Sequence, residues 1–308
     1  MLHKPRPLAP GDRIAVVAPS SPFESANLDR GLEWLRAQGY DAVVAQSAHQ
    51  RHRYLAGTDA ARATDLQRAL VDPTIAAVIC ARGGYGSARL LSHLEASAIR
   101  PHCKLVCGFS DVTTLHLWLN QACGWVTFHG PMIATRFAGE GFDSDTATSL
   151  LAALRGETAA VHAPDARTAV PGRAHGRLVG GNLTLLCHSI GTAHEVDTDG
   201  ALLLIEDVHE SPYRIDRMLT HLRQAGKLVG VRGVIVGEME DCAAPDDAGY
   251  TLDEVIADCL SGLSVPTVTH FPISHGAPNH TVALGIEYEL DADAKRLLPL
   301  EPSHRSDG

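Results

Sequence analysis

The sequence predicts an α/β protein built around a parallel sheet with helices on both faces. Three observations predict it. Short apolar, β-branched runs recur along the first half of the chain, a helix-period segment follows most of them, and Gly or Pro punctuates the joins. Arg13 to Ala18 (RIAVVA), bounded by Gly11-Asp12 and Pro19, is the first buried strand. Ser25 to Gln38 is a helix with Leu28, Leu32 and Leu35 on one face, and Gly39 ends it. Asp41 to Ala45 is a second strand. Thr58 caps a second helix that runs to about Val71 through Leu66 and Leu70. Ile75 to Cys80, Lys104 to Gly108 and Trp125 to His129 are further strands, and Val112 to Asn120 is a helix.

The second half mixes its elements differently. Leu183 to Ile190 is helical, Ala201 to Ile205 is a strand, and Pro212 to Ala225 is a helix striped by Ile215, Met218, Leu219 and Leu222. Gly233 to Gly237 is a strand, Leu252 to Leu260 a helix, and the chain from Thr267 onward reads as short strands and turns. Between the halves, residues 155 to 176 lose their periodicity and gather Gly, Pro and Ala. A chain of 308 residues has room for two domains of roughly 150 residues. The expected division is 1–155, a linker over 156–176, and 177–308.

Composition excludes several classes. A formal net charge of -10, with no run of five Lys or Arg, argues against nucleic acid and anionic membrane surfaces as partners. Seven scattered Cys residues without a CxxC favour a reducing compartment over a disulfide framework. The N-terminal stretch lacks the apolar segment of a signal peptide, and no run reaches the ~18 apolar residues of a membrane span. A cytoplasmic protein is expected. No HExxH-like spacing sets two histidines on one helix face, so no metal or cofactor is expected.

The residue types that carry chemistry stand at strand ends. Gly108-Phe109-Ser110-Asp111 joins an apolar strand to a helix, a turn that presents a hydroxyl above the sheet edge at a helix N-terminus. Val112 stands where G-x-S-x-G has its second glycine, and a plain N-cap serine would look the same locally. Arg82-Gly83-Gly84-Tyr85-Gly86 also follows a strand, and its backbone suits either a phosphate cradle or half an oxyanion hole. It lacks the Lys-Ser/Thr of a P-loop. Glu206 and Asp207 close the strand that ends at Ile205, with Glu210 nearby; any of the three acids could orient an imidazole. Among 17 histidines, His275 lies in a Gly/Pro-rich loop with His280 as its rival, whereas His116, His129 and His188 fit core or helix-face positions.

Taken together, these residues resemble the LD-carboxypeptidase family, the murein tetrapeptide carboxypeptidases and their microcin-immunity relatives. The likeness begins at residues 10–20 (PGDRIAVVAPS) and takes in Arg82–Gly86, Gly108–Asp111, Gly180-Gly181-Asn182-Leu183, Ile205–Asp207, residues 212–217 (PYRIDR) and His275. It departs at Ser274, where Gly often precedes the His, and at Ala283, where Pro is frequent. The resemblance implies a flavodoxin-like N-terminal domain, a smaller α/β C-terminal domain with the active site between them, and a homodimer. It implies a Ser-Glu-His triad on Ser110, Glu206 and His275, and oxyanion donors from the backbone of Gly84 and Asp111. Arg82, Gly83 and Tyr85 are expected to bind substrate, Arg82 as a cation for its terminal carboxylate. The implied reaction is release of a terminal D-amino acid, D-Ala, from a murein tetrapeptide in peptidoglycan recycling. Two alternatives stand beside it: a microcin-immunity-type serine amidase acting on a peptide-nucleotide, and a non-enzymatic or nucleotide-binding α/β protein in which Ser110 is only a cap.

Overall fold

A computed structural model describes residues 2–135 and 143–306. The chain forms two compact units: the described parts of Met1–Thr158, His280–Gly285 and Pro302–Gly308, and Ala159–Asn279 with Ile286–Glu301.

The first unit opens with β1 (Arg13–Val17), α1 (Ser25–Ala37), β2 (Asp41–Val44), α2 (Asp59–Val71) and β3 (Ile75–Cys80). It continues through α3 (Ala96–Ile99), β4 (Leu105–Gly108), α4 (Thr113–Trp118), β5 (Thr127–His129) and α5 (Ser144–Leu154). Strands β2, β1, β3, β4 and β5 are adjacent in that order and all parallel. This 2-1-3-4-5 order is the flavodoxin-like arrangement that the resemblance implies. Every residue of β3 is buried, because helices cover both faces of such a sheet; hence the unbroken apolar run IAAVIC rather than an alternating pattern. Helix α1 buries Leu28, Leu32 and Leu35, the face expected from their spacing. The Thr58 hydroxyl caps α2 by accepting the Ala61 N–H at 3.3 Å. Lys104 is buried, and its ammonium donates to the carbonyls of Ala69, Asp72 and Ile75 at 2.7–3.1 Å, so it ties the end of α2 to the start of β3. Burial lowers its pKa to about 8.

Helix α5 has no counterpart among the expected elements. Thr and Ser dilute its apolar stripe, yet Asp143 caps it through Thr146 N–H at 2.6 Å, and Leu150 and Leu154 are buried. Downstream, β12 (Val282–Leu284) returns to this sheet antiparallel to β5.

The second unit holds β6 (Val161–His162), β7 (Arg167–Val170), β8 (Arg173–Asn182), α6 (Leu183–Ser189), β9 (Ala201–Val208) and α7 (Pro212–Gln224). Then come β10 (Gly233–Glu240), α8 (Leu252–Leu260), β11 (Thr267–Phe271), β13 (Glu287–Asp291) and β14 (Arg296–Pro299). Its eight-stranded sheet has the order β6-β14-β13-β8-β9-β10-β11-β7. The centre, β8 to β11, is parallel, and antiparallel strands flank it on both sides. The expected linker over 156–176 is corrected here, since 161–176 carries β6, β7 and the start of β8. Edge strands need few apolar residues, so their composition passes for a loop.

A second correction concerns β9, which runs on to Val208 past its expected end at Ile205. Glu206 and Asp207 therefore lie inside a strand, in register with Asn182 of β8 and Met239 of β10 respectively. No described helix is long and apolar enough to cross a membrane.

Strand β8 depends on Gly180. Its φ is +124°, and a Cβ there would lie 1.9 Å from the Leu204 carbonyl oxygen of β9. Gly180→Ala is expected to cost at least about 3 kcal/mol of unfolding free energy, through strain and a clash with backbone that cannot step aside. Urea unfolding checks this; a loss under about 1 kcal/mol would mean the two strands separate freely.

Candidate active site

Open parallel sheets bind ligands at the carboxyl ends of their strands, beside the point where the strand order reverses. In the first unit that point lies between β1 and β3. The segments leaving β1, β3 and β4 there are Ala18–Pro22, Ala81–Gly86 and Phe109–Val112.

Ser110 leaves β4 on a sharp turn with φ +63°, left-handed backbone that a non-glycine residue seldom adopts. Such strain, of order 1–3 kcal/mol, persists only where the surroundings over-determine it. Here they do. Gly108 lets the chain double back: a Cβ on it would meet Val112 Cγ1 at 2.9 Å. Val112 is fully buried in the core, so it occupies the space that a second glycine of G-x-S-x-G would leave open. Gly83 lies against the serine, where an added Cβ would sit 3.0 Å from Ser110 Oγ. The residues after Ser110 open a helical run through α4 to Cys123, and the first amides of such a run have no carbonyl one turn back to accept them. They suit a developing negative charge.

Asp111 carries a second job that its side chain reveals. It is buried, and its Oδ2 accepts from Ser20 Oγ at 2.6 Å and from Ser87 N–H at 2.8 Å. One carboxyl group thus ties the segment after β1, the glycine segment and the serine turn. Gly84 (φ +109°) rests on Ser21, where an added Cβ would come within 2.3 Å of Ser21 Oγ. That hydroxyl in turn accepts the Tyr85 N–H at 3.2 Å. Arg62, fully buried in α2, donates to the carbonyls of Pro19 and Gly86 and to Asp59. Sequence reasoning missed Ser20, Ser21 and Arg62. Ser20 ends the 10–20 stretch that carries the family likeness, and Arg62 left a signal as a cation on the apolar stripe that Leu66 and Leu70 continue.

In the second unit, Glu206 of β9 is completely buried and its Oε2 accepts from His275 Nδ1 at 2.5 Å. The loop carrying His275 can cross the strand because residue 237 is glycine. A Cβ there would meet the Ile273 carbonyl oxygen at 2.3 Å and Glu206 Cβ at 3.0 Å. Asn279 Oδ1 accepts the Ser274 N–H, and Ser274 Oγ accepts the Gly276 N–H, which holds the loop from both sides. Ser274, a departure from the family pattern, therefore has a local use.

Burial raises the Glu206 pKa, against the opposing pull of His275 and Asn182. For His275, burial lowers the pKa, but the attraction and hydrogen bond of Glu206, with Asp207 and Glu240 beyond, outweigh it and leave the value raised. With Nδ1–H given to a carboxylate, Nε2 is the nitrogen that holds the lone pair, the tautomer a general base needs.

The candidate residues thus fall into two groups. Ser110, Gly83, Gly84 and Asp111 come together in the first unit, and Glu206 and His275 in the second. Of the rival acids, Asp207 accepts from Asn182 Nδ2 and from both the N–H and hydroxyl of Thr184, and Glu210 pairs with Arg214 at 3.2 Å. His280 belongs to the first unit, where burial lowers its pKa. His116 is buried, and its Nε2–H donates to the Gly108 carbonyl at 2.8 Å, which fixes the end of β4; burial lowers its pKa to about 4. Arg82 is exposed and donates to the Pro22 carbonyl at 2.7 Å, and Tyr85 is exposed beside it. Among the described residues no three or more His, Cys, Asp or Glu cluster as metal ligands would.

The pair makes a testable titration. His275 should titrate above the ordinary histidine value near 6.5 in a heteronuclear NMR experiment, and Glu206→Gln should lower that pKa, since burial remains while the attraction goes. Because its folded pKa is raised, the stability the pair contributes is full below about 6.5 and is lost as pH rises through the folded value. An unchanged His275 pKa in Glu206→Gln would show that the carboxylate does not hold the imidazolium.

Comparison with known proteins accords with these features. The LD-carboxypeptidase N-terminal domain matches residues 14–130 and the LD-carboxypeptidase C-terminal domain matches residues 175–290. A Bacillus subtilis protein described as a probable murein peptide carboxypeptidase is 36% identical over 95% of this chain and 93% of its own. The murein tetrapeptide carboxypeptidase of Pseudomonas aeruginosa is 32% identical over 92% and 94%. The crystal structure of muramoyltetrapeptide carboxypeptidase from Oxalobacter formigenes superposes with a TM-score of 0.84 at 30% identity, covering 94% of this chain and all of that one. The Escherichia coli microcin C7 self-immunity protein MccF is 27% identical over 94% of both chains. By sequence and by fold, the chain belongs to the LD-carboxypeptidase family.

Proposed function

We propose that this chain is a serine peptidase that hydrolyses the LD-peptide bond of murein tetrapeptides and releases the terminal D-Ala. The buried Glu206–His275 pair carries the reading. A carboxylate taken wholly out of water and given to one imidazole nitrogen is costly unless it holds that ring for use. The strained turn at Ser110 supports it from the nucleophile's side.

In this reading His275 Nε2 removes the Ser110 hydroxyl proton as Oγ bonds to the carbonyl carbon of the L-centre. The carbonyl oxygen becomes an oxyanion held by the amides of Gly84 and Asp111; losing one such donor costs about 3 kcal/mol. Collapse breaks the C–N bond, and the imidazolium returns its proton to the departing amine of D-Ala. Water, deprotonated by the same imidazole, then releases the acyl group and restores Ser110. Glu206 keeps the tautomer and stabilises the imidazolium throughout. Arg82 is the proposed partner of the terminal carboxylate.

A second reading, a microcin-immunity-type hydrolase, keeps the same groups and draws on the 27% identity to MccF. The substrate separates the two, and mass spectrometry of products from a defined murein tetrapeptide and from an aminoacyl nucleotide analogue shows which is cleaved.

Ser110→Ala should lower kcat by about 10⁴-fold or more on the tetrapeptide while the protein stays folded. Activity within about tenfold of wild type would rule Ser110 out as nucleophile. Replacing the terminal D-Ala by L-Ala should lower kcat/KM by at least about a hundredfold, because inverting the centre exchanges the places of methyl and hydrogen while the carboxylate and the scissile amide stay fixed. Equal rates on both peptides would remove the stereospecificity and leave the serine chemistry standing.

A further inference from the structure

Most large apolar side chains of the first unit are buried. Among its described residues, the exposed ones are Tyr54 (55%) and Tyr85 (49%), and these two are neighbours, with ring centroids 6.0 Å apart and planes tilted by 55°. Exposed aromatic surface gathered at one place marks a binding surface more often than scattered exposure does. The place is specific. Tyr85 directly follows Gly84, and Gly83 lies against Ser110.

The rings stand on a fixed base. Tyr54 sits in a tight turn closed by two backbone hydrogen bonds between His52 and Leu55, and Ala56 N–H donates to the Ser20 carbonyl at 2.9 Å. Leu55 is buried and packs against Gly86, where a Cβ would come within 2.7 Å of its Cδ2. On the other side, the Arg89 guanidinium reaches Tyr85 and grips Asp59 through both carboxylate oxygens. The aromatic pair is thus built into the same network of Ser20, Arg62 and the glycine segment that holds the Ser110 turn.

We infer that Tyr54 and Tyr85 form an aromatic platform for the sugar ring of a muramoyl peptide, an inference that rests on the peptidase reading above. Two tilted π faces receive a ring with polarised C–H groups on its flat side, which a pyranose offers. The other parts of the substrate fit less well. A single methyl of D-Ala is too small to cover both rings. An ammonium on a diamino acid would meet Arg89, which reaches Tyr85, while the nearby Asp59 carboxylate is already taken by Arg62 and Arg89. An amide-linked muramoyl group is uncharged and meets neither penalty. The pair would therefore set a preference for sugar-bearing over free tetrapeptide.

The test compares kcat/KM for muramoyl-tetrapeptide and for the same tetrapeptide without sugar, using the full chain. Tyr54→Ala should lower the ratio of the two by at least about tenfold, mainly through KM on the sugar-bearing substrate, whereas Tyr54→Phe should keep it within about threefold. An unchanged ratio, or equal losses on both substrates, overturns the platform. Wild type that cleaves neither peptide refutes the peptidase reading instead. Calorimetric binding of muramoyl-tetrapeptide to Ser110→Ala, with and without Tyr54→Ala, then tests the platform by itself, and affinity unaffected by the second substitution overturns it.

Discussion

The first unit is organised around one strained residue. Ser110 takes a left-handed backbone conformation that a serine gains nothing from locally. What keeps it there is packing and hydrogen bonding on every side: Val112 pressed into the space over Gly108, Gly83 against the hydroxyl, and the Asp111 carboxyl group fixed by Ser20 and Ser87. The three strand ends at the carboxyl edge of the sheet are consequently a single structure, and Arg62 extends it into α2 by holding the segments on either side of it together.

The second unit solves a different problem. Glu206 and Asp207 are adjacent buried acids near the carboxyl end of β9, and each would be expensive without partners. Successive strand residues point to opposite faces, which lets each acid find its own solution. Asp207 is met by neutral donors from Asn182 and Thr184, whereas Glu206 is met by an imidazole. The difference decides their chemistry. A carboxylate saturated by amide and hydroxyl donors is held in place, but one bonded to an imidazole also sets that ring's tautomer and raises its proton affinity. Glycines at 180 and 237 make both arrangements possible, since at each a side chain would collide with a backbone carbonyl.

Much of the fold was legible because it follows from periodicity. Buried runs such as IAAVIC mark strands covered on both faces, and Leu28, Leu32 and Leu35 mark the inward side of α1. Legibility failed where composition and structure part company. Helix α5 hides behind threonines and serines, and β6, β7 and the start of β8 are polar enough to pass for a linker. The carboxylates at 206 and 207 made β9 look finished, although both are inside it, because a strand can carry buried acids once their partners are supplied from elsewhere.

By itself the sequence determined the alternation of strand and helix in the first unit, the positions of the glycine-rich and serine turns at strand ends, and the family likeness those turns carry. These are local properties, set by side-chain period and by which residues tolerate a tight turn. Only the tertiary structure decided that His275 pairs with Glu206 rather than with Asp207 or Glu210, and that Arg62 and Asp111 brace the serine turn. Those partners lie 69, 43 and 91 residues apart in the chain, counting His275 to Glu206, Arg62 to Pro19 and Asp111 to Ser20. Sequence patterns report on neighbours a few residues away, whereas such meetings depend on strand register and loop path.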